Sequence, residues 1–309
     1  MALKKIFVDG QEGTTGLQIR EKLLARKDIE LLEIEPELRK DTKRKAELLN
    51  AADIAFLCLP DDAAKEAVAL VQNPNTVIID ASTAHRTNDA WAYGLPELSQ
   101  SHEEAIKKSK RVTNPGCHAT GFLLAVYPLV AKGIIKADEN LCCYSLTGYS
   151  GAGKKMIAEY QENFKSIKFE SESVLASKPY ALGLCHKHLP EMQKIAGLAK
   201  PFLFNPIIGP YCQGMAVTVG LFTDMFSGIK SFDELREFLA NYYKGCEYVS
   251  VVPASENPSI LDPTICNNTN NAKIFVFGRE EHGQITVVLD NLGKGASGAA
   301  IQNMGYFLS

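Results

Sequence analysis

No run in this chain approaches the ~18 consecutive apolar residues that a membrane helix needs. The apolar stretch within Met1-Ala2-Leu3-Lys4-Lys5-Ile6-Phe7-Val8-Asp9-Gly10 is too short for a signal-peptide core, so a cytosolic, cytoplasmic protein is expected. Paired cysteines are also missing. The eight cysteines, at 58, 117, 142, 143, 185, 212, 246 and 266, are scattered, with no C-x-x-C framework. Six histidines add no matched ligand spacing, so no metal site is expected. In a reducing compartment most of these thiols serve as small buried hydrophobes, and Cys58 in Ile54-Ala55-Phe56-Leu57-Cys58-Leu59 reads that way. Long blocks of one charge are absent, and the net charge is -3. The densest basic stretch, Arg39-Lys40-Asp41-Thr42-Lys43-Arg44-Lys45, reads as a solvated helix surface. Without an extended basic face, nucleic acid is not an expected partner. No internal repeat or low-complexity linker divides the chain.

What is present is an ordinary globular balance, with 46% hydrophobic and 22% charged residues in 309, enough for two domains. Strands are expected at Lys4 to Val8, Ile29 to Ile34, Asp53 to Leu59 and Thr76 to Ile79. Helices over Thr14 to Ala25, Arg44 to Leu49 and Ala63 to Val71 alternate with them. That rhythm marks a parallel sheet with crossover helices, an α/β Rossmann-type dinucleotide-binding domain over 1–116. From Cys117 the rhythm changes. A helix from about Ala119 to Ala131 leads to strands near Leu141 to Leu146, Val217 to Phe222, Tyr248 to Val252, Lys273 to Phe277 and Gln284 to Leu289. Their mixed patterning predicts an α+β domain with a mixed or antiparallel sheet over 117–289.

Three segments carry chemistry. Gly10-Gln11-Glu12-Gly13-Thr14-Thr15-Gly16 follows a strand and opens a helix, the context in which glycines let a backbone approach a pyrophosphate. Downstream, Glu33 and Glu35 are candidates for ribose hydroxyls, whereas Arg39, Lys40 and Arg44 suit a 2′-phosphate; NAD and NADP both stay open. Cys117 follows the turn-forming Pro115-Gly116 and precedes an apolar helix, where a helix N-terminus favours the thiolate. Its proton partner would come from His186 and His188, which share a face if their segment is extended. His118, one step into the helix, is given a supporting role at best. A glycine-rich loop, Gly148-Tyr149-Ser150-Gly151-Ala152-Gly153-Lys154-Lys155, could nest an anion. Its Lys155 stands where a P-loop needs Ser or Thr, so a nucleoside triphosphate site is rejected.

Taken together, Gly10 to Gly16, Asn114-Pro115-Gly116-Cys117, Gly148 to Gly153, His186-Lys187-His188-Leu189-Pro190-Glu191 and Asp290-Asn291-Leu292-Gly293-Lys294-Gly295-Ala296-Ser297-Gly298-Ala299-Ala300 resemble the N-acetyl-gamma-glutamyl-phosphate reductases of arginine biosynthesis, in their shorter sequence type. The resemblance implies a fold similar to aspartate-semialdehyde dehydrogenase, with residues from about 290 to 309 completing the Rossmann domain. It also implies NADP as cofactor, at Gly10, Gly13, Thr14, Thr15 and Gly16, with Gly295 and Gln302 returning to it. Cys117 would be the nucleophile and His188 or His186 the acid/base, His188 being favoured because Pro190-Glu191 could fix it. Asn114, Gly148, Ser150, Tyr180 and Glu191 would contact the substrate, and the catalytic domain would build a homo-oligomer, dimer or tetramer. Thr147 and the segment Phe204-Asn205-Pro206-Ile207-Ile208-Gly209-Pro210 depart from the family pattern. Other readings compatible with the residues are an aspartyl- or aminoadipyl-phosphate reductase, a non-catalytic dinucleotide sensor, and a cysteine hydrolase.

Overall fold

A computed structural model describes residues 3–152, 154–165 and 176–308. The chain divides into two units, Met1–Gly116 with Ala296–Ser309, and Cys117–Gly295.

The first unit runs β1 (Lys4–Asp9), α1 (Thr14–Leu24), β2 (Ile29–Leu32), α2 (Thr42–Ala51), β3 (Ile54–Leu57), α3 (Asp61–Ala69), β4 (Val77–Asp80), β5 (Ala92–Tyr93), α4 (Gln100–Lys108) and β6 (Arg111–Thr113). Its sheet has the order β2-β1-β3-β4-β6-β5, with every pairing parallel. Every residue of β3 and β4 is buried, as strands covered on both faces must be, and this is why they read as unbroken apolar runs. Asp41 caps α2 by accepting from the Arg44 amide at 2.7 Å, which stops the helix from extending back into the β2 loop. The expected parallel α/β domain is present. The sequence reading had no counterpart for β5, α4 and β6. Strands of two and three residues carry no period, and α4 buries Ile106 alone.

The second unit contains α5 (Cys117–Ala131), β7 (Cys142–Gly148), α6 (Lys154–Lys165), β8 (Lys178–Pro179), α7 (Leu189–Ala196), β9 (Leu203–Gly209), β10 (Met215–Phe222), α8 (Phe232–Tyr242), β11 (Val249–Val251), β12 (Ala272–Gly278) and β13 (His282–Leu289). The order β11-β12-β13-β10-β7-β9-β8 mixes parallel and antiparallel neighbours, the mixed sheet that the patterning predicts. β9 lies between β7 and β8 despite Pro206, and that proline masks it as a strand. Helix α5 packs on β10 and β13. His118 through Val126 are buried without exception, so α5 is a helix enclosed on every side. The chain then passes through a π-helical turn, Gly293–Ser297, into α9 (Gly298–Gly305). There Ala300 and Met304 join the first unit's core with Ile6, Ile19, Ile54 and Ile79.

Candidate active site

In the first unit the glycine turn has the conformation its sequence requires. Gly10 adopts φ +83°, and a side chain there would run into the Cys58 carbonyl. The Gly13 amide donates to the Gly10 carbonyl at 3.0 Å. Gly13 is also the residue capping α1, and it offers no side chain to the amides that begin at Thr14 and Thr15. Gly16 packs directly on the Gly10 carbonyl. An uncapped helix start behind a tight glycine turn fits a pyrophosphate. Cys58, next to this turn, is held as an unreactive thiol, pushed up to about 12 by burial, with Asp80 and Asp9 adding to the effect.

Charge around this turn is already matched. Arg44 bonds both Glu35 oxygens, at 2.9 and 3.0 Å, and Glu47 at 3.3 Å. Arg39 pairs with Glu12 at 3.0 Å and Arg20 with Glu33. At the end of β1, Asp9 pairs with Lys45 at 3.2 Å. Burial nevertheless raises its carboxyl above the usual range, against the pull of that lysine. Further along, Asn114 donates from Nδ2 to the Ala296 carbonyl at 2.9 Å. Gln302 donates to Glu97 Oε1, also at 2.9 Å.

The second unit begins with Cys117 as the first residue of α5, so its sulfur sits on the turn whose amides lack intrahelical acceptors. Gly295 packs against it; a methyl group on Gly295 would stand 2.7 Å from Cys117 Cβ. His118, the next residue, is buried. Its Nδ1 lies 2.7 Å from Ser145 Oγ and its Nε2 2.8 Å from the Tyr180 hydroxyl. His186 and His188 complete a cluster of imidazoles. Ring centroids are 5.3 Å from His118 to His186, 5.6 Å from His118 to His188, and 4.8 Å between His186 and His188. Phe204 closes one side, 5.4 Å from the His118 ring. Burial, with His186 and Lys187 nearby, pulls His118 down to about 3. Burial and then Lys187 pull His186 down to about 4. Burial foremost, and then Cys117, raises Tyr180 well above an ordinary phenol.

Two expectations change here. The His186–His188 segment is not extended. His188 has helical angles (φ -86°, ψ -12°) and precedes α7, which carries Pro190 in its first turn. A proline there favours helix entry, and the turn, rather than strand alternation, brings both rings together. The His188 amide donates to His186 Nδ1 at 3.1 Å. His118, expected to have a supporting role at best, is a full member of the ring cluster, against Tyr180, His186, His188 and Phe204. The available signal was its place in the first turn of a wholly apolar helix, where a histidine must find buried partners.

The remaining candidates are scattered in role. Gly148 approaches the Cys212 backbone so closely that a Cβ would lie 2.6 Å from its carbonyl oxygen. Ser150 accepts a hydrogen bond from Asn291 at 2.9 Å, and Glu191 is buried in α7. Gly153 lies outside the described residues, as do the side chains of Lys154 and Lys155. The sequence reading passed over the loop after β4. His85 Nδ1 lies 2.6 Å from Asp80 Oδ2 and its ring stacks on Trp91 at 4.2 Å. Arg86, also buried, donates to the Ala81 carbonyl at 2.9 Å. These groups sit at the carboxyl end of a parallel strand, the edge at which such sheets bind ligands.

Residues 6–108 match the family model for the semialdehyde dehydrogenase NAD binding domain, and residues 117–291 match the semialdehyde dehydrogenase dimerisation domain. The first unit thus carries a nicotinamide-dinucleotide domain, and the second match indicates a homo-oligomer. N-acetyl-gamma-glutamyl-phosphate reductase of Chelativorans sp. (strain BNC1) is 46% identical over 99% of this chain and 98% of its own length. N-acetyl-gamma-glutamyl-phosphate reductase 2 of Pseudomonas putida is 43% identical over 98% of this chain and 96% of its own. Among solved structures, aspartate semialdehyde dehydrogenase II of Vibrio cholerae superposes with a TM-score of 0.72 at 15% identity, covering 100% of this chain and 99% of its own. The Candida albicans aspartate semialdehyde dehydrogenase with NADP gives 0.69 at 16% identity, covering 99% and 98%. No described helix is long and apolar enough to cross a membrane. With its two domain matches and full-length relatives, the chain belongs to the N-acetyl-gamma-glutamyl-phosphate reductase family of semialdehyde dehydrogenases.

Proposed function

We propose that this protein reduces N-acetyl-gamma-glutamyl phosphate to N-acetylglutamate semialdehyde and phosphate, using NADPH, through a thioester on Cys117. The observation that carries the reading is Cys117 as the first residue of α5, next in the chain to His118, whose ring clusters with those of His186 and His188. The Cys117 thiolate attacks the acyl carbon; the S–C bond forms as the C–O bond to phosphate breaks, leaving a thioester. Splitting the reduction in this way replaces one difficult step with two easier ones. The first-turn amides of α5 stabilise the tetrahedral oxyanion, an effect of about 3 kcal/mol per donor in measured oxyanion holes. Once the thioester carbon is reduced, His188, or His186 beside it, holds a proton at the resulting alkoxide and takes it back as the C–S bond breaks, releasing the aldehyde and the Cys117 thiolate.

The glycine turn, with Gly10, Gly13, Thr14, Thr15 and Gly16, holds the dinucleotide's pyrophosphate, and Gly295 and Gln302 contribute from the C-terminal segment. The chemistry a bound NADPH supplies is a hydride for the thioester carbon. The basic residues after β2, Arg39, Lys40 and Arg44, favour the 2′-phosphate of NADP over NAD. Asn114, Gly148, Ser150, Tyr180 and Glu191 recognise the substrate, and the working assembly is a dimer or a tetramer in the cytoplasm. The deciding assay runs the reaction backwards. N-acetylglutamate semialdehyde should reduce NADP only when phosphate is present. A preference for aspartate semialdehyde, or turnover independent of phosphate, overturns the reading.

A further inference from the structure

We propose that His118 is a positioning residue for the acid/base pair, a buried clamp that holds both ends of the loop from Tyr180 to His188 and so fixes the imidazoles of His186 and His188. This rests on the reading of those two histidines as the groups that hold and move the proton. The loop has little of its own to hold it. Leu182, Gly183, Leu184 and Cys185 are all exposed, with Leu182 at 75% and Leu184 at 57%. A segment that buries so few apolar groups opens easily unless it is tied elsewhere. Its backbone is also strained. Ala181 and Leu184 take φ of +53° and +55°, the left-handed region that a Cβ disfavours. Such conformations persist where the surroundings over-determine them. Inside the loop the Leu184 amide donates to the Ala181 carbonyl at 3.0 Å. The other ties, among the described residues, lie at its ends.

Both ends meet at His118. At the first, the Tyr180 hydroxyl lies 2.8 Å from His118 Nε2, and the Tyr180 amide donates to the Pro206 carbonyl of β9 at 3.0 Å. At the second, the His186 ring stands edge-on to His118, with centroids 5.3 Å apart and planes at 86°. The His188 ring lies 5.6 Å from it, at 56°. His118 is in turn fixed from the sheet. Ser145, fully buried on β7, places its hydroxyl 2.7 Å from His118 Nδ1. A buried hydroxyl has one proton to place, and Nδ1 is its acceptor among the described residues. Burial keeps the ring neutral, so its single proton sits on Nε2 and is donated to the Tyr180 oxygen. With both nitrogens engaged, His118 orders the loop rather than moving a proton. The chain of contacts runs from β7 through α5 to the loop, and joins residues 27 and 62 apart in sequence.

The test reads the loop directly, without turnover. The full-length protein is digested briefly with trypsin, and mass spectrometry follows cleavage after the exposed Lys187, inside the loop. Cleavage after Lys230, exposed in the same unit just before α8, serves as the reference. Tyr180→Phe and His118→Phe should each raise the Lys187 to Lys230 ratio about fivefold, the effect of one lost hydrogen bond on a local opening. His118→Gln offers a carbonyl to Ser145 and an amide N–H to Tyr180, the order the ring requires, and should stay within about twofold of wild type. Kinetics supply the second readout. His118→Phe should lower kcat by about 10²-fold, the scale of a misplacement of about 1 Å, and leave KM for NADP unmoved; His118→Gln should recover most of that loss. A wild-type ratio in both Tyr180→Phe and His118→Phe overturns the proposal, whatever the kinetics. So does an equal rise at Lys230, which would make His118 an ordinary core residue. Should His118→Phe not fold, the ratio in Tyr180→Phe decides alone. If His186→Ala and His188→Ala both keep wild-type kcat, the acid/base reading fails, and the cleavage ratio still judges the clamp.

Discussion

Around the glycine turn the charged side chains are exposed and paired; around Cys117, His118 is buried, His186 is half-buried, and both imidazoles are held neutral. Arg20, Arg39 and Arg44 each face a glutamate, with a third or more of most of these side chains open to water. Such pairs are screened by solvent and hold little energy, so a phosphate can displace a carboxylate at small cost. His118 and His186 lie in the opposite regime. Burial pulls both well below the usual imidazole range, and the His188 amide, by donating to His186 Nδ1, leaves that ring's proton on Nε2. The first region is suited to gripping a charged ligand that comes and goes. The second is suited to controlling a single proton.

The contrast breaks first at Cys117. Replacing Cys117 by Ser should lower kcat by more than about 10³-fold, the scale for removing a covalent nucleophile, while NADPH binding measured by fluorescence titration stays intact. Retention of a tenth of wild-type activity would defeat the assignment. Next come the two histidines that α7 brings together. His188→Ala should cost roughly 10²–10³-fold in kcat, the range for general acid–base groups, and His186→Ala less. A larger loss at His186 exchanges their roles.

The difference between the regions also explains what the sequence could disclose. The parallel sheet was legible because β3 and β4 are buried on both faces and so carry unbroken apolar runs. The glycine turn was legible because Gly10 needs a positive φ that few other residues tolerate. Both are local requirements. Cys117 was marked locally too, by Pro115-Gly116 and the apolar helix behind it. That the His186 and His188 rings could lie together was legible only through strand alternation, whereas the chain brings them together where Pro190 starts a helix. His118 was undervalued because its importance lies in Ser145 and Tyr180, partners that only the folded sheet and loop supply. Likewise no spacing rule anticipates that buried Asp80 and His85 pair and that the half-buried Trp91 stacks on the histidine ring.

Burial of the imidazoles has a consequence for stability against pH. The folded values near 3 for His118 and 4 for His186 lie below the unfolded value of about 6.5. Above that pH neither state binds the protons, and these histidines add no slope. As the pH falls through it, the unfolded chain takes up protons that the folded one refuses, so stability drops until the folded values are reached. His118, fully enclosed, should contribute about 1 kcal/mol per pH unit over that window, and the partly exposed His186 less. Urea midpoints from pH 8 to 5 should fall more steeply for wild type than for His118→Gln. Parallel curves would show that His118 does not carry the effect.

The smallest effect belongs to the exposed pairs, and it tests the other half of the contrast. Arg44 is held by Glu35 and Glu47, yet its position after β2 suits a 2′-phosphate. If its pairs are as replaceable as their exposure implies, Arg44→Ala leaves the melting temperature unmoved. The same variant should raise KM for NADP about threefold, as one solvent-screened charge contact would, and leave KM for NAD unchanged. An equal change for both cofactors would mean that Arg44 acts through the fold of the β2–α2 loop. A large loss of stability would show that the charge at this edge is structural after all, and the two regions would then differ less than their burial implies.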